Sequence, residues 1–207
     1  RKFFEFYEFN NIEFKNKTLI KFLKKNIKKF DKIVVCDFGH GMITKEIVSI
    51  LEKNSKFLCA NVQTNSGNRG YNLFTKFKMA DLLVLDEPEV RLGLSMRYSD
   101  FKEVIESRKL KKFKNLMITR GINGLAVKLK NENVCCHYPA MNTNAIDTLG
   151  AGDAAYSYAC ALSGKTKNNY LIGLMSSIAG GIKTKILGHS ESIKFLEVKR
   201  TLESILK

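Results

Sequence analysis

Short apolar runs alternate with segments of helical period along most of this chain. KIVVCD (residues 32–37) is a continuous β-branched run, the pattern of a strand buried on both faces. A helical pattern follows over residues 44–53, with Thr44 as its N-cap. KFLCANV (56–62) reads as the next strand, then a polar loop, then the strand ADLLVLD (80–86). Residues 99–112 read as helical, and NLMITRG (115–121) as another strand. GLAVKLKNENVCCHYPA (124–140) reads as a β-hairpin turning at the polar NEN. Beyond Asp153 the pattern is helical almost to Lys207, broken near SGKTKNN and LGHSES. Such alternation predicts an α/β fold, a doubly wound and mostly parallel sheet with helices on both faces. With no internal repeat and no linker, the reading is one domain over residues 1–207.

The polar clusters DFGHG, QTNSGNRG, DEPE, TRGING and DTLGAGD each fall where a strand ends or a helix begins. In open α/β sheets, ligands bind outside the carboxyl ends of the strands. The last cluster carries the most chemistry. A helix start leaves amide N–H groups unpaired and attracts anions. Glycines let an anion approach the backbone closely. Gly150-Ala151-Gly152 before a helix therefore suits a phosphate. A carboxylate beside a phosphate is repelled by it, unless the carboxylate takes a proton from a hydroxyl that attacks the phosphorus. Asp153 suits that role. From the residues alone, a helix N-cap with a tight turn remains the alternative.

Composition narrows the classes. The 207 residues are 44% hydrophobic and 27% charged, typical of a globular protein. No apolar run reaches the roughly 18 residues of a membrane span. The opening RKFFEFYEFNN reads as the continuation of an upstream segment, not a signal peptide. The net charge of +15 comes from lysines scattered through every amphipathic segment. That argues for a solvated face and against a nucleic-acid partner, for which no motif is present. Five cysteines without regular spacing read as mostly buried free thiols in a reducing, cytoplasmic compartment. In CCH (135–137) neighbouring side chains point to opposite faces of a strand, which disfavours a shared zinc ion.

DTLGAGD resembles the second signature of the ribokinase-like (PfkB) carbohydrate kinases, Asp-Thr-x-Gly-Ala-Gly-Asp, and matches all its specified positions. Tyr158 stands in the following helix where a small residue is usual. The resemblance implies that Asp153 is the general base and that the backbone of Gly150, Ala151 and Gly152 forms the anion hole. It assigns Asp147 and Thr148 to the nucleotide. DEPE is similar to the family's Asn-x-x-Glu motif, which makes Glu89 the organiser of magnesium and puts Asp86 at the Asn position. TRGING resembles the loop along the nucleotide, implying Thr119, Gly121 and Gly124. SSIAGGIKTKILGH resembles the late helix beside the adenine, with Ser177 where Asn is common. That helix and DFGHG are most similar to the heptose-phosphate kinase branch, several members of which act fused to or beside a nucleotidyltransferase domain. NVQTNSGNRGYN departs from the family's shorter loop, and Asn68 and Arg69 are its candidate substrate contacts, a solvated turn being the alternative. The resemblance covers only the later two-thirds of a usual member. The lid and most sugar contacts, normally supplied earlier, are not in this chain.

The resemblance thus implies an ATP- and Mg²⁺-dependent kinase acting on a sugar or sugar phosphate. It admits a monovalent cation and a homodimer. Asp86 and Ser177 keep open a second reading, a non-catalytic nucleotide-binding or assembly domain of the same fold. A nucleic-acid binder is the third, resting on charge alone.

Overall fold

The computed structural model describes residues 16–129, 135–166 and 168–207. Its six strands lie in one sheet in the order β1-β2-β3-β4-β5-β6. β1 (Ile33–Asp37), β2 (Leu58–Val62) and β3 (Leu82–Asp86) pair in parallel. β5 (Leu125–Lys128) and β6 (Cys136–Tyr138) pair antiparallel, as the hairpin pattern predicts. The expected NEN turn lies outside the described residues. β4 (Leu116–Thr119) contains the point, between Leu116 and Met117, at which the chain divides into two compact units. No change of composition marks that point in the sequence.

In the first unit, α1 (Lys17–Asn26) precedes β1, and α2 (Lys45–Asn54) connects β1 to β2. Thr44 caps α2, its hydroxyl oxygen accepting the amide of Ile47 at 3.4 Å. The helix buries Ile47, Val48, Ile50 and Leu51, spaced to keep one face inward. β2 is buried at every position. β1 is not, contrary to its uninterrupted apolar run. Its burial alternates, leaving Val34 and Cys36 exposed and Val35 and Asp37 buried. It ends the strand order, and its second face is covered only in part, Val34 sharing a shallow pocket with Phe22 and Leu23 of α1. Cys36 therefore departs from the expectation of buried thiols. Cys59 and Cys160 follow it, and Cys135 and Cys136 are half-buried.

α3 (Glu87–Leu94) leaves β3 directly. The helical pattern over residues 99–112 resolves into two short helices, α4 (Phe101–Ile105) and α5 (Arg108–Lys111). Ser107 interrupts it with an extended ψ of 143°, the conformation of a residue preceding a new helix. Phe74, Phe77, Leu82, Leu85 and Leu110 are among the largest fully buried side chains of this unit. Gly93 is required there, because a Cβ would lie 2.5 Å from the Phe74 ring.

The second unit carries β5, β6, α6 (Ala151–Leu162), α7 (Asn169–Lys183) and α8 (Phe195–Ile205). α7 buries Met175, Ile178 and Ile182 with Val198 of α8, and Tyr158 and Leu162 of α6 pack against them. Tyr158 is thus accommodated as a partly buried ring at the edge of this cluster, and burial raises its phenol above the ordinary range. A Cβ on Gly180 would stand 3.4 Å from the Ala151 carbonyl and 3.8 Å from the Ala155 Cβ, ordinary contact distances that show how closely α7 packs on the start of α6.

Candidate active site

In the second unit the residues 147–153 form a sharp corner into α6. Gly150 is the N-cap residue, in the left-handed region at φ 77°, where L side chains are strained. Ala151, Gly152 and Asp153 are the first three helical residues. This removes the alternative that Asp153 is itself the N-cap: it is the third residue of the first helical turn and is exposed. A Cβ on Gly152 would meet nothing within 4 Å. The helix mouth is open at the position where a phosphate is expected. Ala151 differs from its two neighbours in one respect, because its N–H donates to the Thr148 carbonyl at 3.2 Å. That amide closes the turn instead of facing outward unbonded.

Asp147 holds the corner in place. Its two carboxylate oxygens accept the amides of Leu149 at 3.0 Å and Gly188 at 2.9 Å. These two bonds, with a smaller contribution from Lys183, hold its carboxyl below the ordinary range. The amides of Ile146 and Asp147 donate to the Thr184 carbonyl at 2.8 and 3.2 Å. Asn142 donates to the Thr184 hydroxyl at 2.7 Å, and that hydroxyl donates to Gly181. The turn after α7 is therefore laced to the corner before α6. Thr148 is exposed beside it. A monovalent cation held here would need oxygens to ligate it. The Asp147 carboxylate and the Gly188 carbonyl are instead engaged by N–H donors, the latter by the Lys183 ammonium.

The TRGING segment is a closed turn. The amide of Arg120 donates to the Gly124 carbonyl at 2.8 Å, and that of Gly124 to Gly121 at 3.0 Å. Gly121 and Gly124 both have positive φ, and a Cβ on Gly124 would overlap the Tyr138 carbonyl. Gly121 is exposed, and Thr119 ends β4 half-buried. Ser177 is 5% exposed, and its hydroxyl donates to the Pro139 carbonyl at 2.5 Å. The side chain expected near the adenine is thus committed to packing. Beyond α7, a cavity of about 290 Å³ is lined by Lys185, Leu187, Ser190, Glu191, Lys194 and Glu197.

In the first unit, Asp86 and Glu89 form a reciprocal cap on α3. Asp86 accepts the Glu89 amide at 2.7 Å, and Glu89 accepts the Asp86 amide at 2.8 Å. The other Glu89 oxygen accepts the Thr64 amide at 3.0 Å. Burial raises the Asp86 carboxyl above its ordinary value, against the lowering effect of the Glu89 amide. Among the described residues, no three His, Cys, Asp or Glu side chains gather as a metal cage. A Mg²⁺ ion typically keeps several waters and needs only one or two carboxylates besides phosphate oxygens. The DEPE pair fits that requirement.

Asn68 is 5% exposed, and both ends of its amide are used. It donates to the Phe38 carbonyl at 2.7 Å and accepts the Asn65 amide at 2.9 Å. Asn72 donates to the carbonyls of Asp37 and Gln63 and accepts from Lys76, which is ion-paired with buried Asp37. A Cβ on Gly39 would collide with Asn68 and Asn72. Asn68 thus joins the Gly-rich loop to the segment after β1, while Arg69 is exposed. Sequence reasoning missed Asn72, Lys76 and Lys183.

No family model matches the chain. The bifunctional protein HldE of Aliarcobacter butzleri (strain RM4018) is 27% identical over 180 residues, which covers 83% of this chain and 36% of that protein. Three solved structures share the architecture. A ribokinase from Thermotoga maritima aligns with TM-score 0.65 at 22% identity, covering 86% of this chain and 59% of its own. Phosphofructokinase-2 from Escherichia coli, solved in complex with substrates and products, gives 0.73 at 11%, covering 92% and 63%. Ribokinase from Arabidopsis thaliana, complexed with ribose and ATP, gives 0.72 at 13%, covering 93% and 61%. The chain therefore spans about a third of the bifunctional relative and about three-fifths of these kinases.

Proposed function

We propose that this chain, which has the ribokinase-like fold, is the nucleotide-binding and base-bearing part of an ATP-dependent kinase for a sugar or sugar phosphate. The observation that carries the reading is the α6 corner. A left-handed glycine, an unobstructed second helical position and an exposed carboxylate at the third follow one another there. Asp153 takes the proton of an acceptor hydroxyl as its oxygen attacks the γ-phosphorus of ATP. The bond from that phosphorus to the leaving ADP oxygen breaks, and the charge on the phosphoryl oxygens is met by the amides at the head of α6. Those amides are fixed in advance, because Asp147 and Thr184 hold the corner before any ligand arrives. Mg²⁺, when bound, neutralises phosphate charge. Asp86 and Glu89 are the carboxylates that would hold it, Glu89 through water.

The resemblance of the α7 segment and DFGHG to the heptose-phosphate kinase branch supports a phosphorylated seven-carbon sugar as acceptor, and with the similarity to a bifunctional protein it supports a nucleotidyltransferase domain elsewhere in the protein or beside it. The cytoplasm, where ATP is available, is the compartment this reading requires. The test uses the full-length protein with γ-labelled ATP and Mg²⁺, offering heptose, hexose and pentose phosphates as acceptors. Transfer of label to a sugar phosphate is expected. ATP binding without transfer to any acceptor would refute the kinase reading and favour the non-catalytic one, which the engaged Ser177 hydroxyl also favours.

A further inference from the structure

Lys183, the last residue of α7, is only 7% exposed. A lysine at a helix C-terminus is favoured by the helix dipole, but ordinarily with its ammonium in water. Burial of an ammonium is costly unless its N–H groups and charge are met. Lys183 has one hydrogen bond, from Nζ to the Gly188 carbonyl, and no ion pair within 4.0 Å among the described residues. Two of its three donors thus have no protein partner there.

Its location gives that charge a use. A Cβ on Gly150 would lie 3.2 Å from Lys183 Cε and 4.0 Å from Nζ. The ammonium therefore sits against the corner from which α6 starts. It grips Gly188 by the carbonyl, while the amide of Gly188 is held by Asp147. The α6 N-terminus and this buried cation are independent features, one of backbone and one of side chain, and both supply positive potential at one place.

Resting on the kinase reading, we infer that Lys183 is a positioning residue of the phosphate site. Its ammonium holds the Gly188 turn against Asp147 and places a fixed positive charge behind the Gly150-Ala151-Gly152 corner, which strengthens binding of the terminal phosphates. No bond is made or broken by Lys183 itself.

The test titrates the full-length protein and its K183M, K183Q and K183R variants with Mg-ATP, inorganic tripolyphosphate and adenosine. K183M keeps the stem without charge, and K183Q keeps an N–H donor for Gly188. Both should weaken ATP and tripolyphosphate by about tenfold or more, because a fixed positive charge behind the phosphate-binding corner is lost. Adenosine affinity should stay at the parent value, and K183R should recover most of the loss. A merely structural lysine would lower the melting temperature and weaken adenosine and ATP by the same factor. Equal weakening of both ligands, or parent-like tripolyphosphate binding by K183Q, overturns the inference while leaving the kinase reading standing. A parent protein that binds neither ATP nor tripolyphosphate overturns both. If K183M unfolds too readily to titrate, K183Q and K183R give the same comparison.

Discussion

Replacing Asp153 by Asn separates chemistry from architecture at the α6 corner, because the two roles differ in magnitude. Asp153 is exposed at the third helical position, and Gly150 takes the cap. An anion in the first turn stabilises a helix by about 0.3–1 kcal/mol. Asn keeps the size and loses the charge, so the structural cost is bounded near 1 kcal/mol, about 2–4 °C of melting temperature for a chain of this length. A general base contributes about 10²–10⁴ in rate, or roughly 2.7–5.4 kcal/mol of activation barrier. The two ranges do not overlap. Removing a negative charge near the phosphates should leave ATP binding equal or slightly tighter. Steady-state kinetics, ATP titration and thermal melting of the full-length parent and Asp153→Asn proteins read all three quantities. The expected result is loss of phosphorylation, intact nucleotide affinity and a small thermal shift. Turnover by Asp153→Asn at the parent rate would refute the reasoning.

The open space over Gly152 predicts that Gly152→Val folds with a small stability change but loses ATP affinity by titration calorimetry, since its side chain fills the place of the anion. Asp147 has a carboxyl depressed below its ordinary 3.8 by the Leu149 and Gly188 amides, so its contribution to stability is full above that value and is lost as pH falls through the lower folded value. Asp147→Asn should therefore melt below the parent at neutral pH, with the difference closing in melts taken at pH values below about 4. Asn68→Ala should cost about 1–3 kcal/mol, because buried partners lose their bonds, whereas Arg69→Ala should change the melting temperature little and raise KM for the acceptor alone.

What the sequence revealed follows from how local each feature is. The alternation of runs and helical periods located β2, β3, α2 and the β5–β6 hairpin, because each is set by residues adjacent in the chain. The Thr44 cap is a three-residue relation and was equally visible. A β-branched run records its own hydrophobicity, not what covers it, and so predicts β1 doubly buried where its burial alternates. Asn68 looks like a ligand contact in a glycine-rich loop. Its partner, the Phe38 carbonyl, lies 30 residues away, and only the folded chain reveals that the amide is spent. Lys183 is one of 35 basic residues and carries no signature at all. Its distinction is burial against Gly150, a relation across 33 positions.

The small residues of the α6 stretch serve two ends that the sequence presents as one motif. Ala155 and Ala159 are buried, and Gly180 of α7 comes close to Ala155 and the Ala151 carbonyl. That half of the pattern is about helix packing. Gly150 and Gly152 are different: one is required by a left-handed backbone angle, and the other has nothing near its missing side chain. An empty position that costs a helix roughly 0.5–1 kcal/mol relative to alanine and relieves no contact has no packing explanation. The aspartate one position later, exposed and not serving as the cap, gives the helix only the modest stabilisation of a first-turn anion. The two anomalies are neighbours on the open side of the helix mouth, while the packed alanines lie further along the same helix. A ligand approaching that side accounts for both, whereas a structural turn accounts for the aspartate only in part and for Gly152 not at all.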